Sequence, residues 1–183
     1  TPLGPGLDYF DLQFIGQPGI IATGLLHGRS GVAVVDPGPT TCLATLRSEL
    51  SARGFSTADS RWILITHIHL DHAAATGALL RECPGARVIV HERGAPHLID
   101  PSKLIGSASR LYGADMDRLW GEIVPVPAAN IDAVGDSAAM EVAGHDVEMA
   151  YTPGHAWHHI SFFVRGAKIA FVGDTAGICR PSG

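Results

Sequence analysis

The sequence predicts an α+β domain built on a mixed β-sheet with helices on one face. Three observations point there. Short apolar runs of strand length recur along all 183 residues. Up to about residue 90 they run as strands first and then as strand-helix-strand-helix-strand. Gly and Pro, 22 and 12 in number, are spread along the chain and punctuate these short segments, with no repeat and no low-complexity run.

The elements follow in order. Tyr9 to Ile15 alternates in part, and Ile20 to Leu26 is apolar. Val32 to Val35 reads as a buried strand ending at Asp36-Pro37-Gly38-Pro39. Thr40 or Thr41 is then expected to cap a helix that carries Leu43, Leu46 and Leu50 on one face and stops at Gly54. Arg61 to Thr66 is a second buried strand. A loop of histidines follows, then a helix over about 71–82 that Pro84-Gly85 ends, then a strand at Val88-Ile89-Val90.

Residues 92–122 break this rhythm. Leu98, Leu104, Ile105, Leu111, Met116, Leu119 and Trp120 suggest two short helices split by Pro101 and Gly113. Short strands then return at Ile123-Val124, Ala139 to Val142, Val147 to Tyr151, Ile160 to Val164 and Lys168 to Val172. No helical pattern follows to cover this second set. A bare apolar sheet face costs ~25 cal/mol per Å², so a C-terminal piece is expected to be missing. Residues 1–183 read as a single domain that is incomplete at that end.

Composition narrows the function. Hydrophobic residues make up 46% and charged residues 17%, a globular balance. The net charge of -5 leaves no basic field to hold a polyanion, so no nucleic-acid partner is expected. Runs such as Ile63-Leu64-Ile65 are too short to span a bilayer, and no Lys/Arg-led apolar segment opens the chain. Cys42, Cys83 and Cys179 form no CxxC pair, which argues against a disulfide framework and a thiolate metal cage. The expectation is a cytoplasmic protein acting on a small molecule, with no membrane partner. The uncovered sheet makes a homodimer plausible.

The chemistry concentrates in Thr66-His67-Ile68-His69-Leu70-Asp71-His72. Alternation puts His67 and His69 on one side of an extended segment, so both imidazoles can meet one ion. Asp71 and His72 start the next helix and point to a second position beside the first. Imidazole and carboxylate without thiolate suit Zn²⁺, Fe or Mn²⁺. Two more ligand types follow strands: His155 in Thr152-Pro153-Gly154-His155, and Asp174 in Val172-Gly173-Asp174-Thr175. A carboxylate such as Asp174 can bridge two cations about 3.5–4 Å apart.

With these residues in place the sequence resembles the metallo-β-lactamase fold superfamily. The carrying residues are Asp36 in Val-Val-Asp-Pro-Gly, the His67-x-His69-x-Asp71-His72 cluster, His155 in Thr-Pro-Gly-His and Asp174 in Gly-Asp-Thr. The stretch from Thr152 to Ile160, with His159 near its end, is similar to the glyoxalase II-like branch of hydrolases. The resemblance implies an αββα four-layer sandwich with metals at one edge. It assigns His67, His69 and His155 to the first metal and Asp71 and His72 to the second, with Asp174 between them. Asp36 and His159 become supporting residues behind the ligands. Two divalent ions are implied, Zn²⁺ first, with Fe or Mn²⁺ compatible.

The family usually supplies one more His to the second site from beyond the bridging Asp, and no His follows His159 here. Either that ligand lies outside this sequence or the second site is weak. Residues 92–122 resemble a lid-like helical insertion over the metal edge. The implied reaction is hydrolysis of an ester, thioester or lactone by a hydroxide made at the metals, with Asp71 orienting the nucleophile. The alternatives are a mononuclear iron persulfide dioxygenase held by His67, His155 and Asp174, and a catalytically silent scaffold.

Overall fold

Two β-sheets lie face to face in the computed structural model, which describes residues 1–176. The first sheet has seven strands in sequence order: β1 (Pro2–Gly4), β2 (Leu7–Asp11), β3 (Ala22–Gly28), β4 (Gly31–Val35), β5 (Ser60–Leu64), β6 (Arg87–His91) and β7 (Ile131–Val134). The first four pair antiparallel, through short turns except between β2 and β3, where residues 12–21 form a longer loop. From β4 to β7 the pairing is parallel, because each connection carries helices that cross back over the sheet. The second sheet holds β8 (Ser137–Val142), β9 (His145–Tyr151), β10 (Ile160–Val164) and β11 (Ile169–Phe171), all antiparallel, in the order β11-β10-β9-β8.

The helices are α1 (Leu43–Ala52), α2 (Leu70–Ala73), α3 (Thr76–Leu80), α4 (Ala95–Ile99), α5 (Ser102–Tyr112) and α6 (Met116–Leu119). They bury one face of the first sheet. Leu46, Leu50 and Leu79 pack there on Val32, Val34, Ile63 and Val88. The other face of that sheet supplies Ala33, Val35, Leu64 and Ile89, which meet Val147, Met149, Ile160 and Phe162 of the second sheet. The alternating burial of β4 and β5 residues between two cores is what made these strands read as uniformly apolar. Helix layer and both sheets are therefore present. Among the described residues no helix packs on the outer face of the second sheet.

Several expectations need correction. Neither Thr40 nor Thr41 caps α1. Both lie in a 3₁₀ turn, and their hydroxyls donate instead to the carbonyls of Ala74, Glu122 and Leu119. The helix expected over 71–82 is broken into α2 and α3, since the chain turns at Ala74-Ala75. Pro101 and Gly113 do divide the inserted segment, but into three helices rather than two. Ile123-Val124 is not a strand. The strand of that region is β7, which sequence reading missed because its four residues Ile131–Val134 are neither strongly apolar nor cleanly alternating. The stop of α1 is as expected: Gly54 adopts φ +81°, and the amides of Gly54 and Phe55 close back on Ser51 and Leu50.

Cys42 and Cys83 are buried free thiols. Cys179 lies outside the described residues. No helix among those residues is long and apolar enough to cross a membrane.

Candidate metal centre

Parallel neighbours β4, β5 and β6 end on the same edge of the first sheet, and the loops leaving that edge carry the chemistry. The loop after β4 gives Asp36, and the loop after β5 gives His67, His69, Asp71 and His72. The second sheet delivers its residues to the same edge. His155 follows β9 and Asp174 follows β11.

These side chains converge in two groups. Ligand atoms of His67, His69 and His155 lie within 4.8 Å of one another, and so do those of His67, His72 and Asp174. Nδ1 of His69 is 2.9 Å from Nε2 of His155. Nε2 of His72 is 3.1 Å from Asp174 and 3.5 Å from Asp71. The second oxygen of Asp174 is 3.5 Å from Nε2 of His155. One carboxylate thus faces both groups. All six residues expected at the site are brought together, with Asp71 at its rim beside His72.

Asp36 organises this edge from behind. Its carboxylate accepts from the Thr66 amide at 2.8 Å, from the Thr66 hydroxyl at 2.6 Å and from Nδ1 of His72 at 2.9 Å. Asp36 is buried and its backbone has φ +52°, a left-handed conformation that is costly for a residue with a Cβ. Hydrogen bonds from its own amide to Leu64 and from Thr23 to its carbonyl hold it there.

This network sets the tautomers. The Thr66 hydroxyl donates to Asp36, so its oxygen accepts from Nδ1 of His67 at 3.1 Å. His67 therefore keeps a bare lone pair on Nε2. That atom is fully buried and has no hydrogen-bond partner. An orphaned acceptor in a ring of imidazoles and carboxylates is what a cation would satisfy. His72 is likewise turned by Asp36 so that Nε2 faces the ligands. The donor set, nitrogen and oxygen without sulfur, fits a divalent cation of the Zn²⁺ or Mn²⁺ kind.

The charges are tuned to the same end. Burial, reinforced by the rings of His72, His69, His159 and His155, drives His67 far below the ordinary histidine range. Burial opposes a charge on His72 as well, but Asp36, Asp174 and Asp71 outweigh it and push its pKa up to about 12. Hydrogen bonding to His72 holds Asp174 below the usual carboxylate range. Burial works against a charged Asp71, and its contact with His72 still keeps it low.

His159 is fully buried and bonded through Nδ1 to Thr152 at 2.9 Å, with its ring 5.0 Å from that of His67. Its ring packs against that of His67, and its Nε2 is buried without a hydrogen-bond partner. Gly173 lets Asp174 approach. At φ +47° it has no side chain, and a Cβ there would sit 2.5 Å from Nε2 of His159 and 2.7 Å from the Thr66 hydroxyl.

Sequence reading missed three residues of this edge. Thr66 and Thr152 supply the hydroxyls that fix ring orientation. A Thr directly before the first ligand His was the available signal for Thr66. His158 is half-buried, with its ring 5.7 Å from His69 and 6.3 Å from His67. Burial, then the neighbouring His69, His97, His159 and His155, push it down to about 4. Trp157, beside it, is 76% exposed. A cleft of ≈ 590 Å³ opens next to Asp71, His72 and Asp174, with Ile20, Ile21, Ile169 and Phe171 as its apolar walls.

The inserted segment 92–122 packs mainly on the helical layer. Leu104, Ala108, Tyr112, Met116 and Leu119 lie against that core, and Trp120 stacks on Phe14 at 5.4 Å. Its first residues reach the metal edge: a Cβ built on Gly94 would contact Ile68 and His158.

Comparison with known proteins places these features. The family model described as metallo-beta-lactamase superfamily matches residues 16–181. A hydroxyacylglutathione hydrolase of Ectopseudomonas mendocina is 30% identical over 149 residues, 80% of this chain and 44% of the relative. An N-acyl homoserine lactonase of Agrobacterium fabrum is 29% identical over 118 residues, 64% of this chain and 40% of the relative. The crystal structure of a metallo-beta-lactamase family protein from Thermus thermophilus superposes with a TM-score of 0.72 at 28% identity, covering 94% of this chain and 60% of that one. The chain thus spans less than half the length of these two curated relatives.

Proposed function

The chain belongs to the metallo-beta-lactamase superfamily, and from that membership we propose that the protein hydrolyses an ester, thioester or lactone of a small molecule with two divalent cations, Zn²⁺ first among them. The observation that carries this reading is the pair of ligand groups that share His67 and face one carboxylate, Asp174. With the one bare lone pair of His67 given to the first ion, His72, Asp71 and Asp174 remain for a second, which supports a binuclear site over a mononuclear iron centre. The relatives support the substrate class, since one is named as a lactonase and another as a hydrolase of hydroxyacylglutathione.

His67, His69 and His155 would hold one cation, and Asp71 and His72 the other, with Asp174 between them. When bound, such ions bring the pKa of a coordinated water from 15.7 to about 7 and polarise a carbonyl oxygen. The chain's own residues do the rest. Asp71, at the rim, accepts a hydrogen bond from the attacking water and turns its lone pair toward the carbonyl carbon. Thr66 and Asp36 keep the rings of His67 and His72 aimed, so no reorientation is needed during turnover. The apolar walls of the cleft beside Asp174 take the acyl portion of the substrate.

The test is an assay of the metal-loaded protein against a panel of thioesters, lactones and aryl esters, with metal content measured alongside. Turnover that vanishes in Asp71→Asn and in His67→Ala is expected. Absence of turnover on every member, with both ions bound, would overturn the proposal.

A further inference from the structure

The third strand ending on the metal edge also sends out a functional group that neither the ligands nor their supports use. β6 ends on His91, and Glu92 and Arg93 follow it. His91 is fully buried and its ring stacks on Tyr151 at 4.6 Å between centroids. Nδ1 of His91 accepts from the Arg93 amide at 3.2 Å, which fixes where the arginine leaves the strand. The guanidinium of Arg93 then lies over the Tyr151 ring, 5.0 Å from its centroid, and donates to the Tyr151 oxygen at 2.6 Å. That phenol donates in turn to the carbonyl of Trp157 at 3.0 Å, in the loop that carries His155.

The result is an exposed cation with a fixed orientation. Arg93 pairs with no carboxylate among the described residues, and most of its five N–H donors remain free. Elsewhere on the surface Arg47, Arg81, Arg87, Arg118 and Arg165 are each paired with an acid, and Arg29, Arg61 and Arg110, which are not, have no aromatic ring beneath them among the described residues. A guanidinium held by stacking loses little further freedom on binding, and its fork matches a carboxylate in two parallel hydrogen bonds. Gly94, the next residue, runs so close to the ligand loops that an added Cβ would sit 3.0 Å from Ile68 and 3.4 Å from His158.

We propose that Arg93, clamped by Tyr151, recognises a carboxylate on the substrate, making the substrate an ester, thioester or lactone that carries a carboxylate group. Arg93 is a specificity-determining residue, with Tyr151 and His91 positioning it. The inference rests on the hydrolase reading for the scissile bond, and the test separates the two.

The test uses binding. Mercaptoacetate, 3-mercaptopropionate and 4-mercaptobutyrate are each compared with the matching neutral amide on the metal-loaded protein by calorimetry, the thiol serving as the anchor at the metals. The acid is expected to bind about tenfold or more tightly than its amide for at least one chain length, as befits a charge-assisted pair. Arg93→Gln brings the acid-to-amide ratio close to one. Arg93→Lys keeps part of it, and Tyr151→Phe, which keeps the stacked ring but removes the hydroxyl that holds the guanidinium, lowers it in part. A ratio near one in the parent protein, a ratio that survives Arg93→Gln, or binding of neither probe would overturn the proposal. Because no turnover is needed, a preserved ratio with no esterase activity removes the hydrolase reading alone. Turnover without the ratio removes Arg93 alone.

Discussion

Asp36 shows how much of the site depends on one side chain that touches no substrate. Its two oxygens accept three hydrogen bonds, two from Thr66 and one from His72. In Asp36→Asn one oxygen becomes a donor that faces other donors, and His72 loses its orientation. Such outer partners typically govern 10–100-fold in metal affinity, so chelator competition should show a loss of that size. Protonation gives a second outcome at the same scale. The metal-free protein holds His72 protonated at neutral pH, since its pKa lies near 12. Loading at pH 7 must displace that proton, and calorimetry in buffers of different ionisation enthalpy should record its release. The neighbouring rings have the opposite sign. His67, His69, His158 and His159 are all lowered in the fold. Below their unfolded value of about 6.5 the unfolded chain binds protons that the folded chain refuses. His72 is protonated in both states there and adds no slope. Urea midpoints of the metal-free protein should therefore fall as pH drops from about 6.5 toward 4, and a flat profile would contradict this sign.

At the scale of elements, the helical layer and the run that leaves the inserted segment are joined at close quarters. Gly77 of α3 meets the carbonyl of Val124, and an added Cβ would collide with it. Gly77→Ala should cost about 1–3 kcal/mol by overpacking, read as a lower urea midpoint with an unchanged slope. Residues 121–127 carry no regular secondary structure. The chain there is tied by the Thr40 hydroxyl to Glu122 and by the Val126 amide to Leu98, while the Thr41 hydroxyl holds Leu119 at the end of α6. Sequence reading assigned those hydroxyls to a helix cap because cap and tie use the same residue types. Periodicity found β4, β5, β6, β9 and β10 because their burial pattern is written in each run. It missed β7, whose place in the sheet comes from pairing with β6. It joined α2 and α3 because the break at Ala74-Ala75 carries no Gly or Pro.

On the scale of the whole molecule, the metal edge is the seam where two sheets meet. Ligands from the first sheet and from the second face each other across it, so a bound cation ties the sheets together. An ion that binds only the folded state stabilises it by about 2.7 kcal/mol at a hundred times its dissociation constant. Chelator treatment should lower the thermal midpoint, and stoichiometric Zn²⁺ should restore it. A midpoint insensitive to both would count against metal ligation.

The residues able to act as ligands, and their order along the chain, were legible in the sequence alone. Four of them lie within six residues, and strand alternation already turns His67 and His69 to one side. The two remote candidates, His155 and Asp174, stood out because each follows a strand and completes the pattern of the local cluster. Tertiary structure decided the rest, because it concerns atoms that meet only when β5, β9 and β11 converge. Which nitrogen of each ring is bare depends on a Thr hydroxyl and on Asp36 across the fold. That Arg93 stands over Tyr151 depends on β6 and β9 ending side by side, 58 residues apart in sequence. Local pattern encodes which groups are present, whereas hydrogen bonding and packing between distant strands determine where they point.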